Sequence, residues 1–175
     1  EGIQFYNGYV GGSTNNGIFR YNYVHDITSA DCNAGVLLAS GTGHRIYGNI
    51  ITGNCIGIRP YYHVQNAEIY NNTLYNNSDN GNVYVDDFTV SGIHLSNNLS
   101  DSGTTWLTDL TTGGVTQTTN DTTHSAASHW VNAAGGNFSL LSTSTAVDTG
   151  TSAIASGITR TYNGSAPDIG AFETF

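Results

Sequence analysis

The chain has 175 residues, with 13 acidic and four basic residues, so its formal net charge is −9. A surface this acidic repels nucleic acid and anionic membranes, so we expect neither as a partner. No stretch of the sequence is long and apolar enough to predict a membrane span.

A short pattern recurs along the first hundred residues: an apolar residue, an asparagine three positions later, and a second apolar residue two positions after that. The asparagines are Asn22, Asn49, Asn72 and Asn98, which stand 27, 23 and 26 residues apart. The fourth copy, which ends at Leu99, is one residue short. A period of this size is typical of a solenoid in which each repeat forms one coil.

A parallel β-helix explains why asparagine recurs in each coil. We expect each of these asparagines to adopt the left-handed backbone conformation that a tight turn requires. Because coils stack about 4.8 Å apart, equivalent side chains can form a hydrogen-bonded ladder along the axis. The flanking apolar residues would then stack in the interior, so the sequence predicts an all-β solenoid.

The repeat places coils at 2–34, 35–56, 57–80 and 81–103. Alternation within the strands predicts that Val36 and Leu38 point inward, whereas Leu37 and Ala39 point outward. The same reading places one set of polar and aromatic side chains on a single outer face, namely Gln4, Tyr6, Arg59, Tyr61, Tyr84 and Asp86. The first coil begins like the middle of a solenoid, so we expect further coils or another chain to pair with its edge.

The two cysteines, Cys32 and Cys55, are 23 residues apart, about one coil. They should therefore be neighbours on adjacent coils. A disulfide and two buried thiols are both consistent with this spacing.

From Thr104 the coil pattern stops, which predicts two parts: coils over 1–103 and an irregular strap and cap over 104–175. We expect the strap to cover the last coil and to run back along the outside of the solenoid. Its apolar anchors are Phe138, Leu140, Leu141, Val147, Ile154, Ile158, Ile169 and Phe172.

The last forty residues resemble the ending of many secreted right-handed parallel β-helix proteins. The resemblance lies in the segments 137–140 (Asn-Phe-Ser-Leu), 144–150 (Ser-Thr-Ala-Val-Asp-Thr-Gly) and 167–173 (Pro-Asp-Ile-Gly-Ala-Phe-Glu). That group includes pectate and alginate lyases as well as uncharacterised surface proteins. The resemblance implies a right-handed parallel β-helix and a secreted or cell-surface location.

The outer face is where a polymer would lie across stacked coils. The candidate catalytic residues are Arg59 for a uronate carboxylate, His63 as a proton acceptor, and Asp86 with Asp87 as a general acid or a Ca²⁺ ligand. The candidate substrate-binding residues are Gln4, Tyr6, Tyr61, Tyr62 and Tyr84. An ordinary exposed ladder of tyrosine and polar residues is the alternative for this face.

Other histidines give no chemical motif. His25 and His44 fall in turns, where we expect a structural role. His94, His124 and His129 lack metal-ligand spacing, so we predict no metal site apart from a possible Ca²⁺. Asn-x-Ser/Thr sequons, which would accept glycans in a secreted protein, occur at Asn71, Asn76, Asn98, Asn120, Asn137 and Asn163.

Two functional hypotheses follow. The first is an extracellular carbohydrate-active β-helix, lyase-like or hydrolase-like, whose partner is a polysaccharide and which forms the C-terminal part of a longer chain. The second is a non-catalytic structural or adhesive solenoid, whose coil ends stack on an N-terminal solenoid fragment or on neighbouring copies.

Overall fold

The fold is built from short strands and is described for residues 2–6, 14–28, 31–154 and 161–174 of a computed structural model. The strands of the coils are β1 (Ile3–Tyr6), β2 (Ile18–Arg20), β3 (Tyr23–His25), β4 (Ala34–Ala39), β5 (Gly41–Thr42), β6 (Arg45–Tyr47), β7 (Ile50–Thr52), β8 (Ile56–Pro60), β9 (Val64–Gln65), β10 (Glu68–Tyr70), β11 (Thr73–Tyr75), β12 (Gly81–Val85), β13 (Ile93–Ser96), β14 (Leu99–Ser100), β15 (Leu107–Asp109) and β16 (Val115–Thr118). The later elements are α1 (Ala126–His129), β17 (Trp130–Asn132), the 3-10 turn η1 (Ala133–Gly135) and β18 (Asn137–Leu140).

Three parallel sheets run along the axis of the molecule. Their strand orders are β1-β4-β8-β12-β15, β2-β6-β10-β13-β16 and β3-β7-β11-β14. Each sheet takes one strand from each successive coil, which makes the chain a parallel β-solenoid of about four turns. The predicted fold class is therefore confirmed.

The asparagine ladder lies where the repeat predicts it. Asn22 donates to Asn49 at 3.1 Å, Asn49 to Asn72 at 3.0 Å, and Asn72 to Asn98 at 3.0 Å, in each case from Nδ2 to Oδ1. A fifth member, Asn120, accepts from Asn98 Nδ2 at 3.0 Å. From Asn49 onward, each ladder Oδ1 also accepts a backbone N–H from the preceding coil, so the ladder fixes the register between coils.

The prediction that the ladder asparagines adopt the left-handed backbone conformation is wrong. Positive φ angles occur immediately before the ladder positions, at Tyr21 (57°), Gly48 (65°), Asn71 (49°) and Asn97 (51°). The ladder asparagines are not among the residues with positive φ. Their role is therefore to bridge coils, while the preceding residue turns the chain.

Apolar side chains fill the interior in columns. Phe19, Ile46, Ile69 and Leu95 are paired in register across the second sheet, as predicted. In the third sheet, Leu74 pairs with Ser100.

Because the fourth copy of the repeat is one residue short, Ser100 takes the expected place of Leu99. Leu99 instead packs with Trp130 and Phe138 in a second apolar cluster. The shortened copy thus gives the C-terminal segment an anchor on the outside of the solenoid.

The coils continue beyond residue 103, where the sequence predicted a strap. Strand β15 pairs in parallel with β12, and β16 pairs with β13. The repeat is hard to see here because Gln117 lies opposite Leu95, where earlier coils have an apolar residue. Its Oε1 accepts a hydrogen bond from Trp106 Nε1 at 2.7 Å, which gives the polar side chain a partner.

The remaining C-terminal residues run along the outside of the third sheet. Trp130, Phe138 and Ile169 form the second apolar cluster with Leu99, and Ile50 and Tyr75 of earlier coils pack against it. The predicted apolar anchors differ in burial. Ile154 is also buried, Phe172 is 40% exposed, and Ile158 lies outside the described residues.

A disulfide joins Cys32 and Cys55, with their Cα atoms 5.1 Å apart. The structure thus selects the disulfide over the pair of buried thiols. The link ties the start of β4 to the start of β8 on the next coil.

Burial divides five of the six predicted glycosylation sequons into two groups; the sixth, Asn120, is half-buried in the ladder. Asn71 and Asn98 are fully buried, and their amides bond to Asp168 O and to the ladder, so these two sequons are inaccessible in the folded chain. Asn76, Asn137 and Asn163 are exposed. Among the described residues, no helix is long and apolar enough to cross a membrane.

Candidate functional site

The outer face of the first sheet carries an ion pair between neighbouring coils. Register places Leu37 beside Arg59 on the strands β4 and β8. Arg59 reaches across to the carboxylate of Asp86, just after β12, and bonds it through Nη2. Their side chains are only 25% and 11% exposed, so the pair is partly shielded from water.

Two tyrosine rings flank the guanidinium of Arg59. Its Cζ lies 4.8 Å from the centroid of the Tyr61 ring and 5.7 Å from that of Tyr84. Arg59 Nε and Asp86 Oδ1 are buried without a hydrogen-bond partner among the described residues. The pair therefore retains one donor and one acceptor that make no hydrogen bond to the described protein. We call Arg59, Tyr61, Tyr84 and Asp86 the arginine–tyrosine face.

Asp87 does not join Asp86. Its Oδ1 accepts from the backbone N–H of Thr89 at 2.8 Å and also from the Thr89 hydroxyl, so the carboxylate closes a turn. The Thr89 hydroxyl in turn accepts the backbone N–H of His63 at 2.8 Å. Asp87 thereby positions the segment that carries His63, with its Oδ1 engaged in this turn.

His63 is the exposed member of the predicted catalytic set. Its ring packs edge-on against Tyr62, with the centroids 4.4 Å apart, and Tyr62 lies 6.1 Å from Tyr61. Two aromatic rings, Tyr61 and Tyr62, thus connect the arginine–tyrosine face to His63.

Gln4 and Tyr6 lie on the same sheet but are separated from Arg59 by strand β4. They pair with Leu37 and Ala39, which are only 6% and 4% exposed. These two residues form a small apolar cluster with Ile56, against which Tyr61 and Tyr84 pack. The predicted continuous polar face is therefore divided by a buried apolar strip.

A second aromatic stack, which the sequence analysis missed, follows the second sheet. Tyr47 and Tyr70 stack with centroids 4.7 Å apart, and the edge of Tyr21 contacts Tyr47 at 5.7 Å. Arg20 donates to the Tyr47 hydroxyl at 2.8 Å. Burial raises the pKa of Tyr70, which is consistent with its position at the buried end of the stack.

A groove lies between the third sheet and the C-terminal segment, with a cavity volume of about 540 Å³. Tyr23, His25, Asp26 and Tyr75 line one side and the segment Ala133 to Gly136 lines the other. His25 stacks on Tyr23 at 4.6 Å and bonds Asp26 at 2.8 Å. We predicted only a structural role for His25, because nothing in the coil pattern indicated that a later segment would form the other wall of this groove.

His124 and His129, whose spacing in the sequence predicted no metal site, lie close together beside the last coil. His124 Nδ1 lies 2.8 Å from Asp121 Oδ1, and His129 Nε2 lies 3.7 Å from the same oxygen. Burial lowers the pKa of His129. Burial alone would raise the pKa of Asp121, but hydrogen bonds from His124 and Thr145 outweigh it and lower that pKa.

The chain is similar to the crystal structure of pectate lyase Pel9A, with a TM-score of 0.45 and 18% sequence identity over 92% of this chain and 61% of that chain. The chain thus spans less than two thirds of the length of that structure. No protein-family model and no curated protein sequence matches it.

Proposed function

We propose that this protein is an extracellular carbohydrate-active β-helix that binds a polysaccharide across the arginine–tyrosine face. The supporting observation is that the Arg59 guanidinium lies within 6 Å of the ring centroids of both Tyr61 (4.8 Å) and Tyr84 (5.7 Å). Flat aromatic surfaces pack against the apolar faces of sugar rings, while planar donors and carboxylates bond their hydroxyl groups. The ion pair with Asp86 holds the arginine in one orientation, which lowers the entropy cost of binding.

The charge of the arginine–tyrosine face influences whether neutral or acidic polysaccharides bind to it. Asp86 neutralises Arg59, and the whole chain carries a net charge of −9. A polyanion would therefore approach against repulsion unless Ca²⁺ bridges its carboxylates to the protein. We expect neutral polysaccharides to bind without added metal, and acidic ones to bind more weakly unless Ca²⁺ is added.

Cleavage by lyase-like or hydrolase-like chemistry is the finer part of the proposal. In that chemistry His63 accepts a proton, Arg59 holds a substrate carboxylate and Asp86 acts as the acid. The geometry supports binding more directly than cleavage, because Asp86 and Asp87 are both engaged by other residues. His63 is the exposed titratable group beside the aromatic rings.

Binding is tested by affinity electrophoresis in gels that contain a neutral glucan, pectate or alginate, with and without Ca²⁺. Tyr84→Ala should weaken binding by about fivefold, since aromatic contacts contribute on the order of 1 kcal/mol. Tyr21→Ala is the matched control, because it removes an exposed tyrosine from the other aromatic stack. Equal losses in both variants, or no retardation in any gel, would reject the binding face.

Cleavage has its own assay. Formation of an unsaturated product from pectate or alginate, or of new reducing ends from a neutral glucan, should be seen with the native chain and lost in His63→Ala. Retarded migration without either product would assign the face to binding alone.

A structural solenoid is the second candidate, and a specific observation favours it. The strands of the first coil expose Ile3, Ile18 and Tyr23, at 39%, 52% and 52% of their surfaces. Apolar side chains at a sheet edge are suited to pairing with another coil. End-to-end stacking of copies predicts that light scattering detects particles that grow with concentration; a monomer at all concentrations contradicts it.

A further inference from the structure

We propose that Asp121, His124 and His129 form a binding site for a divalent transition-metal ion of the Zn²⁺ type, which clamps the C-terminal segment to the last coil. We call these three residues the His–Asp cluster. The proposal is independent of the polysaccharide-binding face, which lies on another sheet.

The three residues come from different parts of the structure. Asp121 follows the last ladder residue, and its backbone forms a parallel bridge with Leu99. His124 lies in the connection that leaves the coils, and its carbonyl accepts the Ser102 N–H at 2.8 Å. His129 ends α1, the first element of the segment that packs outside the third sheet. An ion shared by all three would join the coil to this segment.

The distances suit a small ion. One ligand atom from each residue lies within 4.8 Å of the other two. The Asp121 oxygen is 2.8 Å from His124 Nδ1 and 3.7 Å from His129 Nε2. Metal–ligand bonds of about 2.0–2.2 Å in a tetrahedral site place ligand atoms roughly 3.4 Å apart, so small side-chain adjustments suffice.

The nature of the donors selects the class of metal. Two imidazoles and one carboxylate suit Zn²⁺ and similar transition metals, whereas Ca²⁺ prefers an all-oxygen set. Three protein ligands leave a fourth position for water or an exogenous ligand. The His124 side chain is 44% exposed, which leaves a path for the ion to enter.

His129 supplies an independent observation that points to a ligand. Its side chain is fully buried, yet Nε2 has no hydrogen-bond partner among the described residues. The other ring nitrogen, Nδ1, lies 3.0 Å from the Ser144 hydroxyl. A partner on Nδ1 is the usual arrangement behind a histidine that ligates metal through Nε2. Burying an imidazole nitrogen unpaired is costly, and a metal ion would remove that cost.

A serine–histidine–aspartate catalytic triad is the competing explanation, since Ser144, His129 and Asp121 follow one another in space. Ser144 is 6% exposed and His129 is fully buried, so a substrate has no access to the hydroxyl. The Ser144 hydroxyl also accepts the backbone N–H of Ala146 at 3.1 Å. We therefore assign Ser144 to positioning the His129 ring.

The clamp would act on the groove described above. Trp130 follows His129 directly, and its ring contacts Tyr75 and Phe138 at 5.7 and 5.6 Å. The groove wall from Ala133 to Gly136 follows in the same segment. Metal bound at the His–Asp cluster would thus hold that wall against the third sheet.

The test is titration of Zn²⁺ into the full chain after removal of metal by a chelator. Isothermal titration calorimetry should show one equivalent bound, and the thermal midpoint should rise with Zn²⁺ concentration. Co²⁺ in its place should give the strong visible bands of a four-coordinate nitrogen and oxygen site.

Variants separate this site from adventitious binding. His124→Gln, at an exposed position that tolerates change, and His129→Gln should each weaken Zn²⁺ binding by about tenfold or more. His25→Gln is the matched control, since the exposed His25–Asp26 pair offers one imidazole and one carboxylate, with no third ligand residue among those described. It should leave the affinity unchanged.

Several results would overturn the proposal. One is the absence of stoichiometric Zn²⁺ binding to the native chain. Another is equal loss of binding in His25→Gln, and a third is full binding by His124→Gln. His124→Gln retains the buried His129, so this variant should fold, which circular dichroism can check. Its result therefore decides the question even if His129→Gln fails to fold.

Discussion

Asn72 shows what a single buried amide does in this fold. Its Nδ2 donates to Ile46 O at 2.9 Å and to Asn98 Oδ1 at 3.0 Å, while its Oδ1 accepts from the backbone and side chain of Asn49. One side chain therefore bonds polar groups on the coil before its own and on the coil after it. The sequence predicted this ladder because the spacing of the asparagines repeats, and equivalent positions in stacked coils must lie above one another.

Asn72→Ala should destabilise the chain by about 3 kcal/mol or more, because each buried polar group left unpaired costs about 1–3 kcal/mol. Asn22→Ala is the control, since Asn22 lies at the exposed end of the ladder and should cost about 1 kcal/mol or less. Urea unfolding monitored by circular dichroism measures both. Equal losses would contradict the cooperative role of the ladder.

His129 should make stability depend on pH. Burial lowers its pKa in the folded chain, so the unfolded chain binds a proton more readily. Stability is therefore complete above the ordinary histidine pKa of about 6.5 and falls as pH drops toward the lower folded value. The lowered pKa of Asp121 acts in the same direction but only below about pH 4.

Thermal unfolding in the presence of a chelator at pH 7.5, 6.5 and 5.5 measures this effect. The midpoint should fall by several degrees across the series, and His129→Gln should reduce that fall. An unchanged slope in the variant would assign the pH dependence to other groups.

At the scale of elements, the repeat predicted some features and concealed others. The short fourth copy was visible in the sequence, but only the register shows that it moves Ser100 inward and Leu99 outward. The last coil was hidden because Gln117 occupies an apolar position. The His–Asp cluster was also hidden, because its members meet only when α1 docks beside the coils. A repeated sequence pattern predicts the contacts between coils. An irregular segment that docks on the coils has no periodic pattern, so its contacts cannot be predicted in this way.

The disulfide between Cys32 and Cys55 links two neighbouring coils covalently, as the asparagine ladder links them by hydrogen bonds. Closing a loop of 23 residues restricts the unfolded chain and is worth about 3 kcal/mol on chain-entropy arguments. Replacing Cys32 and Cys55 together by serine should lower the free energy of unfolding by about that amount. Comparison of the native chain with and without a reductant provides the control; an effect below about 1 kcal/mol would contradict the estimate.

At the scale of the whole molecule, charge should decide which polymer the solenoid meets. The net charge of −9 resists acidic polymers over a distance set by the salt concentration. Raising NaCl from 50 to 300 mM should therefore strengthen binding to pectate in the absence of Ca²⁺ and leave binding to a neutral glucan unchanged. Affinity electrophoresis at the two salt concentrations measures this; weaker pectate binding at high salt would show that local attraction dominates.

The outer surface of the solenoid presents three places where a sugar chain could lie: the arginine–tyrosine face, the Tyr21–Tyr47–Tyr70 stack and the groove beside Tyr23. The sequence predicted the first from strand alternation. The other two depend on ring orientation and on the path of the C-terminal segment, which alternation does not determine.

Chemical-shift mapping by NMR during titration with the bound polysaccharide tests the central proposal most directly, and a chain of 18.5 kDa suits the method. The proposal predicts that the changes concentrate at Arg59, Tyr61 and Tyr84 and weaken away from β8 and β12. Changes centred on Tyr21 and Tyr47, or on the groove between Tyr23 and Gly136, would contradict it.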